Sequence, residues 1–335
     1  MGVTIKDIAK LANVSHTTVS RALNNSTLIN SETKEKIKKL AMELNYIPNY
    51  SAKSLVLHKS YHIGLFFSTI DKDRGTSSSF FYEVVRGVNS IIKDQYNLVV
   101  KGISDYKSLS LIDTNNFDGI ILMSQSAEDG AFIYHVLDKK IPLVVLNREI
   151  EHRGLINILS DDKKGAYNAT KYLVKCGHEK IAIIEGKAGF KSAQERKEGF
   201  LDALIDHNVP VNKNYMIKGN YDFESGYEGM KQLLENENKP TAVFCSNDDM
   251  AIGAMKAIFE NKMKIPEDIS IVGFDNNTFT PFLTPALTTV KRPIMEISQD
   301  GAKKLISLIE KEEVEKERVY VNTELIIRDS VKNLK

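Results

Sequence analysis

From residue 4 to residue 44, apolar positions recur every three or four residues in three short runs, with polar residues between them. Ile5, Ile8, Ala9 and Ala12 form one stripe, which predicts a first helix. Thr4 supplies its N-cap, and Asp7 completes a capping box. Asn13-Val14 interrupts the pattern. Ser15 then caps a second helix whose inner face is Val19, Ala22 and Leu23. His16, Thr17 and Thr18 open that helix as polar, outward residues, and Ser20 and Arg21 follow on or near the same side. Ser31 starts a third helix with Ile37, Leu40, Ala41 and Leu44 inside. After it, Asn49 can cap a stretch running to Leu57 that no helix breaker interrupts. A helix of about two turns is marginal alone and needs a partner.

Beyond residue 60 the period changes. Continuous apolar runs near Ile63–Phe67, Leu98–Lys101, Gly119–Met123 and Leu143–Leu146 read as buried strands. A second set follows at Ile181–Glu185, Tyr215–Lys218, Ala242–Cys245 and Ile269–Gly273. Amphipathic stretches such as Phe80–Lys93, Lys163–Cys176, Ala193–His207, Phe223–Glu235 and Asp248–Asn261 separate them. Alternating strands and helices predict an α/β body with parallel sheets. The repeated set predicts two similar lobes, with the chain crossing between them near Asn157–Asp161 and Leu287–Pro293. A helix, Met295–Lys311, and a last strand, Val319–Ile327, complete the pattern. The expected organisation is a three-helix head at 1–48, a helical linker at 49–60 and a body at 61–335. Lobe one takes about 61–160 plus 291–318, and lobe two about 161–290 plus 319–335.

Charge sharpens the division. Residues 1–60 carry nine Lys and Arg against four acids, leaving 36 against 40 of the chain's 45 and 44 for the rest. A basic head on a slightly acidic body suggests an anionic partner for the head, although a solvated basic surface explains charge alone equally well. Three short helices with a tight second turn also leave the start of helix two free to touch base edges. His16 and Thr17 can donate, accept or meet a thymine methyl, and Arg21 can reach a guanine or a phosphate. On pattern alone, a small helical bundle without a DNA role is as good a reading.

Other chemistry is sparse. No apolar run approaches the roughly 20 residues of a membrane span, and the first seven residues carry no apolar leader core, so no membrane partner and a cytoplasmic location are expected. Cys176 and Cys245 form no CxxC pair, and the seven histidines show no metal-ligand spacing. There is no GxxxxGK, HExxH or GxSxG motif. Neither metal nor cofactor is expected, and a cleft enzyme is a distant alternative.

The string Thr4-Ile5-Lys6-Asp7-Ile8-Ala9-Lys10-Leu11-Ala12-Asn13-Val14-Ser15-His16-Thr17-Thr18-Val19-Ser20-Arg21-Ala22-Leu23-Asn24 closely resembles the DNA-binding headpiece of the lactose/galactose repressor family. So does Leu44-Asn45-Tyr46-Ile47-Pro48-Asn49. The resemblance extends over the body, in Phe117-Asp118-Gly119-Ile120-Ile121, Phe244-Cys245-Ser246-Asn247-Asp248-Asp249, Ile271-Val272-Gly273-Phe274-Asp275-Asn276 and Pro285-Ala286-Leu287-Thr288-Thr289-Val290. It implies an N-terminal helix-turn-helix headpiece and a two-lobed, periplasmic-binding-protein-like effector domain. His16 and Thr17 would read bases, Arg21 base or backbone, and Thr4, Ser15, Thr18, Ser20 and Asn24 would anchor phosphates or hold the motif. The segment from Asn49 would be a hinge helix that folds on DNA, with Leu55 a minor-groove wedge and Lys53 beside it. Without the resemblance, Leu55 reads as linker packing.

In open parallel sheets, ligands bind beyond the carboxyl ends of the strands, and two facing lobes make a cleft that closes by hinge motion. The resemblance implies effector contacts at Asn147, Arg196, Asn247 and Asp275, which carry donors and acceptors for vicinal hydroxyls, and aromatic cover is expected from Phe67 and Phe81. Phe80 and Phe274 lie near the same expected mouth. The implied partners are a pseudo-palindromic double-stranded operator, a small sugar of the maltose type and a second copy of the chain, as a homodimer or higher oligomer. A repressor of a carbohydrate operon is the leading expectation. A corepressor-driven or activating regulator, and a sugar-binding protein without a DNA role, stand as alternatives. The loop 68–79 is longer than the family's usual one, and Gly102–Asn116 is short for a helix with its loops.

Overall fold

The computed structural model describes residues 3–23, 26–44, 46, 59–70, 77–106, 108–152, 154–315 and 318–335. Asn24, the hinge segment with Asn49, Lys53 and Leu55, and residues 71–76 of the long loop lie outside the described residues. The chain divides into two compact units, Met1–His58 and Lys59–Lys335.

In the first unit, α1 (Ile5–Ala12), α2 (His16–Leu23) and α3 (Ser31–Glu43) surround a small core. Ile8, Ala9, Ala12, Val19, Ala22, Ile37 and Ala41 are its buried residues. The Thr4–Asp7 capping box forms in both directions, and Asn13 ends α1 in the left-handed region at φ 56°. Ser15 Oγ accepts from the Thr18 amide at 3.0 Å and so caps α2. Asn30, one residue before Ser31, caps α3 through its side chain.

The second unit holds two six-stranded sheets. The first contains β1 (His62–Phe67), β2 (Asn97–Gly102), β3 (Gly119–Met123), β4 (Leu143–Leu146), β5 (Ile156–Ser160) and β11 (Arg318–Val321). Its order is β11-β5-β4-β3-β1-β2, all parallel. Helices α4 (Ser78–Ile92) and α10 (Ile294–Ile309) pack on one face, and α5 (Gly130–Asp138) on the other. The second contains β6 (Ile181–Ile184), β7 (Met216–Ile217), β8 (Ala242–Cys245), β9 (Ser270–Asp275), β10 (Thr288–Lys291) and β12 (Glu324–Ile326). Its order is β12-β10-β9-β8-β6-β7, parallel except for the antiparallel β12 edge. Helices α6 (Asp162–Lys175), α7 (Lys191–Asp206), α8 (Phe223–Glu235) and α9 (Asp248–Glu260) cover it.

Two sequence expectations change. The segment Val319–Ile327 is two strands, not one. β11 extends the first sheet and β12 the second, so Asn322–Thr323 is a third crossing, and the first lobe reaches Val321 rather than residue 318. Apolar alternation continues across that crossing and cannot reveal a change of sheet. Asn157–Asp161 is largely β5 itself, with the crossing confined to its end. In the short stretch after β2, two 3-10 turns, Ile103–Asp105 and Leu109–Leu111, stand where other connections have a helix.

Candidate functional site

Two surfaces carry the candidate chemistry. On the head, burial of Val19 and Ala22 turns the opposite side of α2 outward. Ser15, His16, Thr17 and Arg21 are exposed, and Thr18 and Ser20 are half-buried. Thr17 and Arg21 are one turn apart and share a face. Ser15 and Thr18 bond to each other through their hydroxyls at 2.9 Å, and Thr4 is held by Asp7. Among the described residues, the side chains of His16, Thr17 and Arg21 make no such hydrogen bond.

In the body, the carboxyl ends of both sheets converge on a small cavity of about 30 Å³. Ser77 and Phe80 come from the start of α4, and Gln125 and Asn147 from the ends of β3 and β4. Ser192 and Arg196 project from the first turns of α7. Tyr221 precedes α8, Asn247 caps α9, Asp275 ends β9 and Arg292 follows β10. Asn147, Tyr221 and Asp275 have φ of 71°, 64° and 109°. Non-glycine residues avoid this region, and such strain collects where surrounding structure dictates side-chain aim.

Arg196, 2% exposed, is the centre. Its Nε and one terminal nitrogen donate to Asp162 Oδ2 at 3.1 and 2.8 Å, and the other donates to the Ser246 carbonyl. The guanidinium lies 3.8 Å from the Phe274 ring centroid, a stacked cation–π contact. Arg292 donates from Nε to the other Asp162 oxygen at 3.1 Å and from a terminal nitrogen to Asn147. Burial opposes the charge on Asp162, yet Arg196 and then Arg292 hold its carboxyl below the usual range. Burial likewise opposes charge on Arg196, and Asp162 keeps it firmly protonated. Asp275 differs. Burial pushes it up to about 6 against the pull of Arg196 and Arg292. Its Oδ1 lies 3.6 Å from Arg196 and accepts no hydrogen bond among the described residues, and Gln125 Oε1 accepts none either. Two buried acceptors, one from each lobe, therefore meet no protein hydrogen-bond donor among the described residues, which costs stability unless a ligand or water supplies one.

Four of the six expected effector contacts, Asn147, Arg196, Asn247 and Asp275, line this cavity. Asn247 is occupied, accepting from the Met250 amide and donating to the Tyr221 carbonyl. Phe67 and Phe81 do not line it. Phe67 is 0% exposed in the first-lobe core, with the Phe81 ring 5.0 Å away. Phe80 and Tyr221 are the aromatic residues that line the cavity, and Phe274 lies beneath Arg196 in the second-lobe core. Both faces of β1 are core, with Phe66 in one cluster and Phe67 in the other, so nearness to a strand end does not give access.

The sequence reading missed Asp162, Arg292, Gln125, Ser192 and Tyr221, while Ser77 falls in the long 68–79 loop expected at a strand carboxyl end. Asp162 and Arg292 sit at interlobe crossings, where the strand-end rule would have pointed; Tyr221 lies in the loop beyond β7, the strand expected at Tyr215–Lys218. Among the described residues, no cluster of three or more His, Cys, Asp or Glu could hold a metal ion, and no helix is long and apolar enough to cross a membrane. His178 is buried and bonded to Thr241 and the Lys332 carbonyl, a structural role.

The lacI family model of bacterial regulatory proteins matches residues 4–49, and a periplasmic binding protein-like domain model matches 170–331. The chain is 57% identical over 332 residues, 99% of each chain, to a probable HTH-type transcriptional repressor ExuR of Bacillus subtilis. It is 33% identical over 338 residues, again 99% of each, to the ribose operon repressor of Haemophilus influenzae. A crystal structure of the lac repressor dimer bound to operator and the anti-inducer ONPF superposes with a TM-score of 0.82 at 25% identity, covering 99% of this chain and 100% of that one.

Proposed function

The chain belongs to the lacI family of bacterial regulatory proteins and is a DNA-binding transcriptional repressor; from that premise we propose how its two surfaces divide the work. His16, Thr17 and Arg21 read an operator half-site in the major groove, with Ser15, Thr18 and Ser20 beside the phosphates. Two chains present two such faces to a pseudo-palindrome, with the segment bearing Asn49, Lys53 and Leu55 between them. The cleft takes a small polyhydroxylated effector that relieves repression. The orphan acceptors Asp275 Oδ1 and Gln125 Oε1 carry this reading, because hydroxyl donors satisfy both while Arg196 supplies the opposing donor.

The space between these groups has about the volume of one water. Opening the lobes enough for a monosaccharide is a smaller change than a maltose-type oligosaccharide demands, and we favour the smaller ligand. Coupling to DNA runs through the crossings. Asp162 and Arg292 tie two of them together, Asn147 adds the first lobe, and Arg196 adds the second. An effector on Arg196 and Asp275 thus acts where the lobes pivot, by as much as it prefers one lobe arrangement. The test starts by selecting a binding site from random duplex DNA with the full chain. Anisotropy on that site is then followed as neutral monosaccharides, disaccharides and sugar acids are added. Release of DNA by a sugar, lost in Arg196→Ala, is the expected result; a full panel without effect on either protein removes the effector reading.

A further inference from the structure

A larger cavity, of about 340 Å³, opens between the lobes beside the first one. Arg148 and Glu149 line it from the end of β4. Lys187 lines it from the loop after β6, and Lys191 and Lys197 from α7, with Glu185 at the end of β6. The two cavities are neighbours through consecutive residues. Asn147 faces the first and Arg148 the second, while Ser192 and Arg196 face the first and Lys191 and Lys197 the second.

The charge balance is uneven. Four cations and two carboxylates line the second cavity. Glu149 is already engaged by Arg318 and by the Tyr320 hydroxyl, and Glu185 by Lys197 at 2.8 Å, while Lys191 lies 3.8 Å from Glu195. Arg148 is fixed from behind. Its Nε donates to Ser124 Oγ at 2.7 Å, and that hydroxyl donates to Asp129 at 2.6 Å. Its two terminal nitrogens make no hydrogen bond among the described residues, so a half-buried guanidinium presents its fork to the cavity. A forked, preoriented guanidinium matches a carboxylate or phosphate better than it matches a hydroxyl. The cavity also meets the start of α7, where the helix dipole favours negative charge.

We propose that this second cavity is an anion-binding subsite, with Arg148 as its anchor and Lys187 and Lys191 around it, for the carboxylate or phosphate of an acidic sugar. The proposal rests on the reading of the adjacent cavity as the polyol site. A ligand that fills both is a sugar acid or sugar phosphate, its hydroxyls on Asp275 and Gln125 and its anionic group on Arg148.

Calorimetry on the full chain separates the sources. Glucose and galactose are compared with their uronic acids and 6-phosphates, and with inorganic phosphate alone, on wild type, Arg148→Gln and Lys187→Gln. The expected result is an acid form bound about ten- to hundred-fold more tightly than its neutral parent. Arg148→Gln should abolish that preference without weakening the neutral sugar, and Lys187→Gln should reduce it. A uronate preference assigns the anion as carboxylate, and a 6-phosphate preference as phosphate. Arg148-dependent binding of phosphate without any sugar binding upholds the subsite and removes the polyol reading. Neutral sugars bound as tightly as acids, a preference unchanged in Arg148→Gln, or no Arg148-dependent anion binding at all overturns the subsite.

Discussion

The head and the cleft solve opposite problems with the same kinds of side chain. On α2 of the head, His16, Thr17 and Arg21 stand on the surface, and among the described residues seven buried side chains make the core beneath them. In the cleft, the candidates are themselves part of the interior. Arg196, Asp162 and Arg292 are all under a tenth exposed and hold one another in place. A surface arginine can be lost without harming the fold. A buried one is both the recognition group and a structural tie, because its partner carboxylate cannot stay charged alone in that setting.

The sharpest way to break this comparison is to remove one arginine from each region. Arg196→Ala leaves Asp162 buried with one cation fewer and should destabilise the body by about 3–5 kcal/mol. Arg21→Ala should leave stability within about 0.5 kcal/mol of wild type. Urea unfolding of the two variants measures both. Equal losses would show that the cleft network does not support the fold.

Protonation separates the regions next. Burial holds the Asp275 proton to about pH 6, above the ordinary carboxyl range near 3.8. This group's contribution to stability is therefore full below about pH 4 and is lost as pH rises through 6, by up to about 3 kcal/mol. Glu195, which burial pushes up to about 7, acts in the same direction. On the head, the Thr4 hydroxyl and amide hold the exposed Asp7 below its usual range, so its contribution is present at neutral pH and fades on acidification. Asp275→Asn should flatten the body's loss between about pH 4 and 6. Parallel pH profiles for variant and wild type would count against a buried, protonated Asp275.

Function reverses the ranking of the two arginines. Arg21→Ala should weaken binding to a selected operator by about 1–3 kcal/mol, without changing the response to effector. Anisotropy at fixed salt reads this directly. An unchanged operator affinity would move recognition off the α2 face.

The same contrast decides what was legible in the residues. The face of α2 follows from period alone: once Val19 and Ala22 point inward, Thr17 and Arg21 must point out. The two sheets were legible too, since buried parallel strands are continuous apolar runs. The cleft is assembled from the ends of many separate segments, and period says nothing about which ends meet. Arg196 and Asp275 were found by family likeness, while Asp162 and Arg292, which make the same network, were not. Phe67 failed for a related reason. A strand end is a place, but on a sheet covered on both faces the side chains there, Phe66 and Phe67 alike, are core.

The smallest effect tests whether a head residue can also be a structural tie. Ser15 caps α2 and is also a candidate phosphate contact. Ser15→Ala should cost about 1 kcal/mol of stability, whereas Ser15→Gly, which keeps good capping geometry, should cost only a few tenths. If the cap is all that matters, operator affinity falls with alanine and is largely kept with glycine. If the hydroxyl itself meets a phosphate, both variants lose affinity alike although only alanine loses stability. The second pattern would place one head residue in the same double role as Arg196, and the division between the surfaces would then be one of burial and not of function.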